Sequence, residues 1–137
     1  MTIDRFRRGT VISYPYRWQH LLIDHPKERP VCVAINMLDR NGKTVLALVA
    51  ISDQRGSSEE GSIELSREDM KSAGLTSARR AFVHLGEVNL DRPSNLLNLP
   101  PGAKVWGRLT EQTLLRVSAQ LVENLKAKKV VVINRGG

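Results

Sequence analysis

Arg29-Pro30-Val31-Cys32-Val33-Ala34-Ile35, then Asp39-Arg40-Asn41-Gly42-Lys43, then Val45-Leu46-Ala47-Leu48-Val49-Ala50-Ile51: these stretches decide the fold. Two short apolar runs rich in β-branched residues flank an Asn-Gly turn signal, a pattern that predicts an antiparallel hairpin. Pro30 begins one strand and Ile51 ends the other, so the pairing brings Arg29 close to Ser52. The polar stretch from Tyr16 to Glu28 and the Ser-, Gly- and Glu-rich stretch from Ser52 to Gly61 are read as loops leaving the same end of the hairpin.

Outward from the hairpin, Val11-Ile12-Ser13-Tyr14 reads as a strand after Gly9. Ser66 is placed to cap a short helix, Arg67 to Ala73, with Glu68 and Asp69 in its first turn and Gly74 just past its end. Ala81-Phe82-Val83-His84-Leu85 begins a strand continuing to Asn89, Asp91 to Gly102 reads as a Pro- and Asn-rich loop, and Lys104 to Leu109 as a short strand. Thr110 should cap the longest helix, whose apolar face carries Leu114, Leu115, Val117, Leu121, Val122 and Leu125 and which ends near Lys126 to Lys129. Val130 to Ile133 is placed as a last edge strand. The expected class is α+β, a strongly bent antiparallel sheet or partly open barrel carrying a short inserted helix and a long C-terminal one. Strands and helices do not alternate regularly, which disfavours a doubly wound parallel sheet.

A length of 137 residues with 41% hydrophobic residues suits one domain spanning 1–137. The excess of 21 Lys and Arg over 14 Asp and Glu, net +7, favours polyanions, RNA first, with acidic protein segments and anionic membranes as alternatives. Cys32 is the only cysteine, which excludes an intrachain disulfide and fits a reducing cytoplasm. No apolar run has the length of a signal peptide or a bilayer span. Gly-rich phosphate loops, His-Glu-x-x-His and Gly-x-Ser-x-Gly are missing, and His20, His25 and His84 do not fall at ligand spacing, so neither a metal nor a cofactor is expected.

The chemistry-bearing residues gather in the two loops: Asp24, His25, Lys27, Glu28 and Arg29 in one, Ser52, Asp53, Gln54 and Arg55 in the other. An arginine fork grips phosphate oxygens, a hydroxyl adds a hydrogen bond, and a carboxylate or imidazole moves a proton. Such a set can cleave RNA without a metal, the substrate's own 2′-hydroxyl being the nucleophile. Tyr14, Tyr16 and Trp18 alternate and would share one strand face, either a platform for stacked bases with Arg17 beside it or a core or dimer contact. His84 and Trp106 read as structural.

The segments Gly9-Thr10-Val11-Ile12, Arg29-Pro30-Val31-Cys32-Val33, Leu46 to Ser52 and Val83-His84-Leu85-Gly86-Glu87-Val88-Asn89 together resemble, in order, the MazF/PemK family of toxin endoribonucleases. The resemblance implies an SH3-like barrel, usually dimeric, that cleaves single-stranded RNA without metal and is neutralised by a cognate antitoxin. It places Arg29 at the family's active-site arginine and Ser52 at its threonine or serine beside the scissile phosphate. Asp24 and Glu87 fall where members carry acidic residues. Thr10 replaces the aspartate of the family's usual Gly-Asp-Ile-Val opening. The expectation is a cytoplasmic toxin with catalytic Arg29, Ser52, Asp24, His25 and Glu87, and with Tyr14, Tyr16, Arg17, Trp18, Lys27, Gln54 and Arg55 on the RNA. The alternative is a non-catalytic barrel module binding RNA or an acidic, antitoxin-like peptide.

Overall fold

The computed structural model describes residues 6–18, 27–55, 61–98 and 104–136. In chain order the elements are β1 (Thr10–Tyr14), β2 (Arg29–Leu38), β3 (Thr44–Ser52), β4 (Ser62–Glu64), α1 (Arg67–Ser72), β5 (Phe82–His84), β6 (Glu87–Asp91), α2 (Pro93–Leu97), β7 (Val105–Arg108), α3 (Glu111–Lys126) and β8 (Val131–Asn134).

The expected hairpin is the centre of the molecule. Val31 faces Ala50 and Val33 faces Leu48; a bulge at Ala34 then shifts the register so that Ile35 faces Ala47. At the turn, the Asp39 side chain accepts from the backbone N–H groups of Asn41 (2.8 Å) and Lys43 (3.0 Å), and Gly42 takes a φ of +76°.

Val31 to Ala34 and Val45 to Ile51 are buried on both faces of the hairpin, which is why these apolar runs do not alternate with polar residues. Val49 and Ile51 point to one core with Cys32, Met70, Val83, Val117 and Leu121, roofed by α1 and α3. Leu46, Leu48 and Ala50 point to the other with Phe6, Ile12, Tyr14, Tyr16, Val31, Val33 and Leu96.

Among the described residues the sheet has eight strands, in the order β4-β5-β3-β2-β1-β7, with β6 beside β3 and β8 beside β6, and their path does not close on itself. All pairings are antiparallel except that of β6 with β8. The class is therefore α+β, with a mostly antiparallel sheet and, among the described residues, three helices.

Several boundaries differ from the sequence reading. The strand expected from Ala81 to Asn89 is two: Ile51 faces Val83 while Leu48 faces Asn89, so the partner spends six residues where β3 spends three. The break falls at Leu85-Gly86, where the Leu85 carbonyl accepts from Asn124 of α3 (2.9 Å). The loop expected from Asp91 to Gly102 contains α2, started by Pro93, whose ring presets a helical φ and which lacks the N–H that a first turn leaves idle. Lys104 and Leu109 fall outside β7. The last strand, Val131–Asn134, adds to β6 in parallel because α3 has carried the chain back along the sheet.

Both predicted caps are present, Ser66 accepting from the Asp69 N–H (3.1 Å) and Thr110 from that of Thr113 (3.4 Å). Between the helices lies Asp69, buried and charged. One carboxylate oxygen accepts from the Thr110 hydroxyl (2.6 Å), the other from Thr113 (2.6 Å) and Ser66 (3.0 Å). Gly74 and Gly107 let the end of α1 lie directly on β7: a Cβ at Gly107 would run into the Ser72 carbonyl, and one at Gly74 into that of Trp106.

Candidate functional site

Arg29 opens β2 and Ser52 closes β3. The Val31–Ala50 register, carried two residues further, sets them across from one another, and both line a cleft of about 210 Å³. Its remaining walls are Pro30, Ile51 and Asp53 from the hairpin and Leu75, Ala78, Arg80 and Ala81 from the segment after α1. The cleft thus joins a cation and a hydroxyl to an apolar wall.

The Ser52 hydroxyl is held on three sides. It donates to the Gln54 carbonyl (3.0 Å), accepts from the Gln54 N–H (3.3 Å), and stands 2.7 Å from Nε2 of His84. Ser52 faces Phe82 across the β3–β5 ladder, so His84, two residues on, is its diagonal neighbour on the same side of the sheet. Trp18 meets the His84 ring edge-on at 5.5 Å and the Tyr16 ring at 4.8 Å, and the Arg29 guanidinium lies 5.3 Å from its centre. Arg29, Trp18, His84 and Ser52 form a continuous row, each half-buried. The Nε of Arg29 is buried with no hydrogen-bond partner among the described residues.

Trp18 is positioned through its neighbour. The fully buried Asn89 side chain accepts from the Arg17 N–H (2.9 Å) and donates to the Arg17 carbonyl (2.9 Å), replacing a strand pairing there. Arg135 adds a bond to the Pro15 carbonyl (2.7 Å).

Two of the expected RNA contacts take other places. Tyr14 and Tyr16 are each 1% exposed, so neither ring offers a face to a base. The alternation correctly put them on one side, but that side is the second core. Burial pushes both phenols well above their ordinary range, and Tyr14 donates to Asp91 (2.6 Å). Arg55 lies 5.3 Å from the Phe82 ring and 3.7 Å from Glu64. Arg80 grips Glu64 with two 2.9 Å bonds, which hold that carboxyl below its usual range. Gln54 serves Ser52 through its backbone, and Lys27 is exposed.

Glu87 stands close enough to Tyr16 for its charge to add to the effect of burial on that phenol, and it does not line the cleft. Asp24 and His25 lie outside the described residues. Burial pushes the Cys32 thiol up to about 12, so it is no nucleophile at neutral pH.

His84 is the residue of this site that sequence reasoning missed. Its partner is fixed by the β3–β5 register, and Val83-His84-Leu85 carries no local sign of that register.

Among the described residues, no three of His, Cys, Asp and Glu are grouped to hold a metal ion, and no helix is long and apolar enough to cross a membrane. The chain matches no protein-family model, no curated protein and no solved structure.

Proposed function

We propose that the protein is a metal-independent endoribonuclease of MazF/PemK type, the toxin of a toxin–antitoxin pair, acting in the cytoplasm. The observation that carries this reading is Arg29 set across from Ser52, both lining one cleft. Arg29 brings a positive fork to the cleft wall, suited to the oxygens of a transferring phosphoryl group. Ser52 orients the phosphate. The substrate's 2′-oxygen attacks phosphorus, the P–O2′ bond forms, and the P–O5′ bond breaks with its electron pair leaving on the 5′-oxygen. The products are a 2′,3′-cyclic phosphate and a 5′-hydroxyl.

In this reading the open, bent sheet is an SH3-like barrel elaborated by β8 and α3, two copies form a homodimer, and an antitoxin neutralises the enzyme by covering the cleft. The net charge of +7 draws single-stranded RNA toward it. Replacement of Arg29 by alanine should abolish cleavage of a mixed RNA. The loss of its contact with Trp18 should cost only about 1 kcal/mol of stability. Full activity in that variant with unchanged folding refutes the assignment.

One observation favours a second reading. Leu75, Ala78 and Ala81 give the cleft an apolar wall, which suits a non-catalytic module holding an RNA base or the apolar side chain of an acidic peptide. It predicts salt-dependent RNA binding with no new RNA ends after long incubation.

A further inference from the structure

We infer that His84 is the proton-transfer residue of the Arg29–Ser52 cleft, taking the proton of the attacking hydroxyl through Ser52. The inference rests on the endoribonuclease reading and names a group which that reading leaves open.

Three features of the geometry support it. The distance between Ser52 Oγ and His84 Nε2, 2.7 Å, is that of a well-made hydrogen bond. The Ser52 hydroxyl carries one hydrogen but has two acceptors in reach, the Gln54 carbonyl and the His84 imidazole. With the imidazole hydrogen on Nδ1, Ser52 can turn its own hydrogen from the Gln54 carbonyl to the unprotonated Nε2 and so donate to His84, with Gln54 N–H remaining on the oxygen. The hydroxyl is therefore a two-position relay rather than a dead end. Finally, the imidazole packs edge-on against Trp18, the same ring that lies under the Arg29 guanidinium, so one side chain touches both the base and the cation.

The step balances as follows. In the tautomer with its hydrogen on Nδ1, Nε2 accepts the Ser52 proton while the Ser52 oxygen takes the proton of the substrate's 2′-hydroxyl. The 2′-oxygen bonds to phosphorus, and the 5′-oxygen leaves with the electron pair and takes a proton from water. The imidazolium then returns its proton to solvent, leaving the protein unchanged.

The test uses the full chain, a mixed single-stranded RNA and end mapping of the products, with wild type, His84→Gln and His84→Ala compared. Glutamine keeps a hydrogen-bonding group beside Ser52 but does not titrate. The expected result is a fall in kcat of roughly 10²- to 10⁴-fold in both variants. KM should stay within about threefold, as expected for an interaction made only in the transition state. Added imidazole should restore part of the His84→Ala rate, which a purely structural role would not allow. Cleavage by His84→Gln at the wild-type rate, or a loss that imidazole does not reverse, overturns the role of His84 and leaves the endoribonuclease reading standing. A wild type that yields no new RNA ends overturns both.

Discussion

Asp69 is only 5% exposed, yet its carboxyl is held below the ordinary range. Burial pushes the other way, but hydrogen bonds from Thr110, Thr113 and Ser66 outweigh it. Because the folded value is the lower one, the stability it contributes is fully present above the unfolded value of 3.8 and is lost as pH falls through the folded value. Replacement by asparagine puts an amide donor against hydroxyl donors and should cost about 1–3 kcal/mol at neutral pH. Thermal unfolding of both proteins between neutral and strongly acid pH should show that gap narrowing as the wild-type carboxyl protonates; a constant gap contradicts the assignment. Single residues were legible in the sequence where the chemistry is local, as at the Ser66 and Thr110 caps. They were not legible where a partner comes from a distant strand. Tyr14 and Tyr16 were rightly placed on one face, but what covers that face, Phe6, Leu96 and the hairpin, depends on the whole fold. His84 is the same case, its neighbour Ser52 lying 32 residues earlier.

The hairpin was readable because three signals agree on it: two apolar runs, an Asn-Gly turn and a strand-opening proline. The Leu85-Gly86 break was not, since an apolar strand that changes partners looks in sequence like one that does not. Helix α2 is five residues long, too short for apolar periodicity, and only Pro93 marked it. The close approach of α1 and β7 was likewise invisible, because Gly74 reads as an ordinary helix terminator and Gly107 as a weak strand residue. It is testable. Gly107→Ala would drive a methyl group into the Ser72 carbonyl and should destabilise the protein by about 1–3 kcal/mol, seen as a lower unfolding midpoint in urea. An unchanged midpoint would mean that α1 and β7 separate more easily than their packing implies.

Across the whole molecule, an excess of seven positive charges and the cleft lined by Arg29 and Ser52 serve the proposed activity together, the charge drawing RNA that the cleft would cleave. Binding of single-stranded RNA by Arg29→Ala should weaken as salt rises, with a slope in log K against log salt of about −0.7 per phosphate contact. Binding indifferent to salt would remove the electrostatic part of the account. The central claim, that the Arg29–Ser52 cleft cleaves RNA, is tested most directly by incubating the wild type and Arg29→Ala with a mixed single-stranded RNA in EDTA and mapping the ends. The account predicts new 2′,3′-cyclic phosphate and 5′-hydroxyl ends from the wild type and none from the folded variant. RNA left intact by the wild type, or equal cleavage by both proteins, would contradict it.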